Sequence, residues 1–193
     1  MTRKDINFIR DSLTVLIGQP LTNLGRARAM IVANFGELVE TNIIKRGEDG
    51  IAIRNEKGRL VYTRGMEGKY VLSAMCSMRF TCDDEILLAS SDILLPNRKI
   101  AHSMDFDWHT FNWGHEGNNY YDEVIGRHFS GKFSEYIVKS IEVKKHGDLT
   151  ILFENGFQLE LCASYSRDGE NWSVYELNSD NALTILGNGI EKR

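Results

Sequence analysis

A chain of 193 residues, 42% hydrophobic and 26% charged, has the balance of an ordinary globular fold, which excludes a disordered tract, a fibrous repeat and a disulfide-dense miniprotein. Its net charge of −4 is unevenly placed: residues 1–100 carry 15 Lys/Arg against 12 Asp/Glu, residues 101–193 carry 8 against 15, and residues 100–126 hold five carboxylates with no Lys or Arg. That acidic field repels phosphates, so nucleic acid is excluded as the main ligand and a basic partner is favoured.

The chain has room for a sizeable core, and one α+β domain over residues 1–193 is expected. Residues 1–11 alternate charge with isolated apolar residues and show no export signal. Apolar runs such as Ile86 to Ala89 fall far short of the roughly 20 residues that span a bilayer. Cys76, Cys82 and Cys162 have no CxxC spacing, which suits reduced thiols in a cytoplasmic protein.

Ile6, Phe8, Ile9, Leu13, Leu16 and Ile17 largely follow the spacing of one helical face, predicting a first helix over residues 3–17 that Gly18 and Pro20 end. Leu24, Ala27, Met30, Ile31 and Phe35 predict a second, with Thr22 or Asn23 as its cap and Gly36 at its end. The expected start is therefore a helical hairpin packed on a sheet. Arg26 and Arg28, near the start of that helix, could hold an anion there, or Arg26 could be solvated or cover a sheet edge.

From Leu38 the period changes to that of strands, expected at residues 39–45, 50–54, 60–63, 69–81, 85–89 and 92–94, with a hairpin loop at Asn55-Glu56-Lys57-Gly58. Along residues 69–81 the even positions Tyr70, Leu72, Ala74, Cys76, Met78 and Phe80 form the core face. Residues 97–117 are irregular, and a loop of that length usually has a purpose. A short third helix is expected over residues 118–129. Residues 137–145, 149–154, 157–163, 172–177 and 183–186 then alternate as strands. Asn155-Gly156 marks a two-residue hairpin in which both central residues need positive φ. With no crossover helix, the expected end of the fold is an antiparallel β-meander.

The loop gathers three of the five histidines and two of the three tryptophans. His102, Asp105, Asp107, His109 and His115 are the only concentration of metal-ligand types, and they support an alternative reading as a metal-dependent hydrolase. Their spacing matches no metal signature, so no metal or cofactor is assigned. There is no G-x-S-x-G elbow, Cys76 falls on an apolar face, and Gly187-Asn188-Gly189-Ile190 reads as a turn, so no catalytic residue is assigned either. Trp108, Phe111, Trp113, Tyr120 and Tyr121 make the acidic segment aromatic, the composition of a protein–protein hot spot or of a loop pinned to its own core. The candidate contacts are Asp105, Asp107, Trp108, Trp113, Glu116 and Tyr120.

Several segments carry a resemblance: residues 17–27 (IGQPLTNLGRA), residues 90–96 (SSDILLP), residues 148–172 with the core FENGFQLEL, and the closing GNGIE. Together they are similar to small bacterial proteins, some of which look like immunity proteins of contact-dependent or polymorphic toxin systems. The resemblance implies a non-enzymatic cytoplasmic binder that blocks a partner toxin, and brings no catalytic residue. A structural subunit that associates through an exposed strand edge is the remaining reading.

Overall fold

The structure, a computed structural model, describes residues 1–47 and 52–192. The expected α+β class is observed, with the strands in two antiparallel sheets. Helix α1 (Arg3–Leu13) starts as its sequence directs. The Thr2 amide donates to the Asp5 carboxylate at 2.7 Å and the Asp5 amide donates to Thr2 Oγ1 at 3.2 Å, closing a capping box. A single 3₁₀ turn (Thr14–Leu16) follows. Ile9, Leu13 and Leu16 are fully buried.

The expected second helix is absent: β1 (Leu21–Ala27) and β2 (Met30–Ile44) form an antiparallel hairpin there. A bulge between Leu21 and Asn23 turns both Leu21 and Leu24 inward, creating a three-residue apolar spacing that imitates a helix. Beyond the turn, Ile31, Ala33 and Phe35 alternate into the core as strand residues do. The turn itself is made by Arg28 at φ 58°, a residue type that gives no turn signal.

Strand β3 (Tyr62–Ala74) pairs with β2. The single strand expected at residues 69–81 is two, because the chain crosses between sheets after Ala74 and resumes as β4 (Ser77–Cys82). Its even positions from Leu72 to Phe80 are nevertheless all buried. Strand β5 (Glu85–Ala89) pairs with β4. The strand expected at residues 92–94 is a 3₁₀ turn (Ser90–Leu94), because the Asp92 carboxylate accepts from the Ala89 amide at 2.9 Å and closes the chain locally. Of the strand expected at residues 50–54, Gly50 and Ile51 lie outside the described residues. The pairing it was to make survives as a bridge of Arg54 to Leu60 across the Asn55–Gly58 loop.

After α2 (Arg98–Ala101) and α3 (Tyr120–Val124), whose helical path continues as a wider turn to Phe129, come β6 (Val138–Val143), β7 (Leu149–Phe153) and β8 (Phe157–Cys162). The chain then changes sheet for β9 (Glu170–Glu176), β10 (Ala182–Leu186) and β11 (Ile190–Lys192). One sheet has the order β1-β2-β3-β9-β10-β11 and the other β5-β4-β8-β7-β6. The expected meander is thus divided into two three-strand runs, one in each sheet. At Asn155-Gly156 only Gly156 has positive φ, at 88°, and the Gly156 amide donates to the Phe153 carbonyl at 3.1 Å. The loop has three residues rather than two, and Asn155 reaches across to donate to the Glu135 carbonyl at 3.2 Å.

Buried side chains of both sheets, α1 and α3 form one hydrophobic cluster. Two polar residues hold its corners. Asn171, fully buried, accepts from the Ser164 and Tyr165 amides through Oδ1 at 2.8 and 2.9 Å, while its carbonyl accepts from the Met75 and Cys76 amides. It therefore fixes both places where the chain crosses between sheets. Trp172, also fully buried, donates from Nε1 to the Gly147 carbonyl at 2.7 Å, tying β9 to the β6–β7 turn in the opposite sheet.

Candidate functional site

The irregular loop is closed at its base like a compact surface loop. Pro96 bridges to Asn119, the Asn97 amide donates to the Asn118 carbonyl at 2.8 Å, and Asn97 Nδ2 donates to the Gly117 carbonyl at 2.7 Å. The same two asparagines cap the flanking helices: Asn97 Oδ1 accepts from the Ile100 amide and Asn119 Oδ1 from the Asp122 amide. Asn119, fully buried, also donates to the Trp113 carbonyl at 2.9 Å.

A clamp from β1 completes the base. Arg26 meets Asp122 in a two-pronged pair, Nε at 2.8 Å and Nη2 at 2.7 Å, and Nη2 also donates to the His115 carbonyl at 3.2 Å. The two side chains are only 7% and 15% exposed. Asp122 further accepts from the Gly117 amide at 2.8 Å. With helix two absent, the anion site suggested for Arg26 and Arg28 has no helix terminus, and Arg26 is occupied by Asp122. Beside this clamp Tyr121 is fully buried, and burial raises its phenol well above the ordinary tyrosine range.

The clamp sorts the acidic residues. Asp122 is paired with Arg26, and Glu123 lies 3.6 Å from Arg98 and 3.8 Å from Arg127. Asp105, Asp107 and Glu116 are exposed and have no ion-pair partner among the described residues. The aromatic residues divide as well. Trp113 and Tyr120 pack against the core cluster and are partly buried. Trp108 stays 60% exposed and makes edge-on contacts with Phe106 and Phe111, at centroid separations of 4.9 and 6.0 Å. Phe106 and Phe111 are themselves 5.9 Å apart, and Met104 nearby is fully exposed.

Of the six residues proposed from sequence, Asp105, Asp107, Trp108 and Glu116 thus lie on the outer surface, while Trp113 and Tyr120 face inward and support it. Phe106 and Met104 join the outward-facing residues, and the placement of Phe106 between two aspartates is the sequence signal for it. The histidines do not converge: His102 Nδ1 sits 2.6 Å from the Arg98 carbonyl and His115 Nδ1 2.9 Å from that of Glu116. Among the described residues no three His, Cys, Asp or Glu side chains are grouped to hold a metal ion. Cys76 is buried, which pushes its thiol up to about 12 and leaves little thiolate for nucleophilic chemistry. Among the described residues no helix is long and apolar enough to cross a membrane. No protein family, curated protein or solved structure matches the chain.

Proposed function

We propose that the protein is a non-enzymatic cytoplasmic binder of the immunity type, a single unit that occludes a basic partner such as a toxin domain with its acidic aromatic loop. The observation that carries this reading is the exposed Trp108 edge-on to the half-buried Phe106 and Phe111, set among the carboxylates Asp105, Asp107 and Glu116, which have no ion-pair partner among the described residues, on a loop pinned at its base. An exposed aromatic group ringed by charge is what a partner's pocket needs, since a rigid ring brings much contact area at little entropic cost. Three like charges with no ion-pair partner among the described residues raise the encounter rate with a basic surface and disfavour nucleic acid. Pinning lowers the ordering cost of binding.

The reading is tested on the product of any toxin-like neighbouring gene, or on the basic protein retained from host lysate. Trp108→Ala should weaken binding by about 2 kcal/mol, roughly thirtyfold, without moving the unfolding midpoint. Unchanged affinity would place the contact elsewhere.

A further inference from the structure

A second exposed surface is left by the two longest strands. Strand β1 pairs with β2 only as far as Phe35, and β9 pairs with β3 only from Tyr70. Beyond those points, residues 38–44 of β2 and 62–68 of β3 pair with each other as a two-stranded arm, about 23 Å long at the usual rise. Asn178 touches it once, donating to the Glu40 carbonyl at 3.2 Å. The register puts Leu38, Ile44, Tyr62 and Met66 on one face of the arm, interspersed with Glu40, Asn42 and Arg64, and Tyr62 and Met66 are 56% and 57% exposed. A lone two-stranded ribbon is marginal in water, so large apolar side chains exposed on one, with charged neighbours beside them, suit a cover that is both aromatic and charged.

Charge indicates what covers it. Residues 52–64, at and beyond the outer end of the arm, carry four Lys/Arg against one Asp/Glu, a local charge of +3, while residues 102–117 carry three carboxylates and no Lys or Arg, a local charge of −3. Lys57, Arg59 and Arg64 are exposed and have no ion-pair partner among the described residues. Within one chain the two surfaces are rooted at opposite ends of the β1–β2 pair. The loop is clamped to Arg26, which lies opposite Ile31, whereas the arm departs beyond Phe35, opposite Leu21, at the other end of the same strand pair. That is five residues, about 17 Å, further along β1.

We propose that the arm of one copy docks on the acidic aromatic loop of a second copy, joining chains head to tail. Each contact sets Tyr62 and Met66 against the Phe106–Trp108–Phe111 cluster and the basic arm against Asp105, Asp107 and Glu116. Because the two surfaces differ, every copy keeps one free arm and one free loop, and association continues into a ring or a chain. The pairing needs only the loop and the arm, and is independent of any foreign partner.

Light scattering of the full chain over a wide concentration range tests it. At low salt the mass should climb beyond a dimer of the 22.0 kDa chain, and it should fall back as salt shortens the screening length below about 10 Å. Two triple variants, Lys57→Glu/Arg59→Glu/Arg64→Glu on the arm and Asp105→Lys/Asp107→Lys/Glu116→Lys on the loop, should each be monomeric alone. Mixed in equal amounts they should associate again, since every arm then faces a loop of opposite sign. Should a triple variant not fold, Tyr62→Ser and Trp108→Ala, both at exposed positions, each report the contact by weakening association about tenfold. A wild-type chain that stays monomeric at low salt overturns the proposal. So does association that stops at a salt-insensitive dimer, that survives the charge reversals, or that the mixture of folded variants does not restore.

Discussion

Arg26 and Asp122 lie 96 positions apart in the chain, and nothing local in the sequence joins them. Their two-pronged pair at 2.8 and 2.7 Å, almost out of solvent, is where β1 holds the loop. Removing one partner leaves the other charge uncompensated, so Arg26→Ala should cost about 3 kcal/mol in a denaturant titration and should speed hydrogen exchange at the Gly117 amide. An exchange rate unchanged there would mean that the loop is pinned without the clamp. Asn171 serves the sheet crossings in the same way, and Asn171→Ala, which strips its Oδ1 and Nδ2 partners in a fully buried place, should cost about 3 kcal/mol. Cys76 gives a pH signature. The unfolded thiol titrates near its ordinary value of 9.0, whereas the buried one holds its proton up to about 12. Its contribution is fully present below pH 9 and is lost as pH rises toward 12, by up to about 1.4 kcal/mol per pH unit. The stability gap between wild type and Cys76→Ala should therefore shrink across that window, and a constant gap would contradict the assignment.

At the scale of elements, local signals succeed where they act alone and fail where a bulge or a corner intervenes. The Thr2–Asp5 capping box and the face of Ile9, Leu13 and Leu16 made α1 legible. The alternation of β6, β7 and β8 was equally plain. Strands β1 and β2 were hidden because the bulge at Leu21 and Asn23 counterfeits a helical spacing and because Arg28 makes the turn without a glycine or an asparagine. The corner between β3 and β4 was invisible for a different reason. The inward face continues through Cys76 into Met78, so the pattern carries no mark of the change of sheet. At the base of the arm Gly68 is packed so closely that a Cβ there would collide with Thr22 Oγ1 and sit 2.9 Å from the Phe35 nitrogen. Gly68→Ala should cost about 2 kcal/mol through overpacking, read as a lower denaturation midpoint.

For the molecule as a whole, the class of fold is legible in the periodicity of the chain, and the place of the unusual loop in its composition, because a run of 27 residues without Lys or Arg, at 100–126, is a property of the chain itself. Which loop residues face outward could not. Trp113 and Tyr120 share the composition of Trp108, and only packing against the core separates them. The arm is not legible in the sequence because its exposed apolar residues, Leu38 and Ile44 on one strand and Tyr62 and Met66 on the other, are brought onto one face only by register. A basic arm and an acidic loop at opposite ends of one strand pair also place self-association and partner capture on the same surface. A bound partner should therefore dissolve assemblies of the protein, lowering the scattered intensity as it is titrated in.

The proposal that the loop is the gripping surface is tested most directly by titrating a captured basic partner into wild type and into the Asp105→Lys/Asp107→Lys/Glu116→Lys variant at low and high salt. Wild-type affinity should fall as salt rises, and the variant should bind at least about tenfold more weakly with little remaining salt dependence. Equal affinities with equal salt dependence would contradict the account.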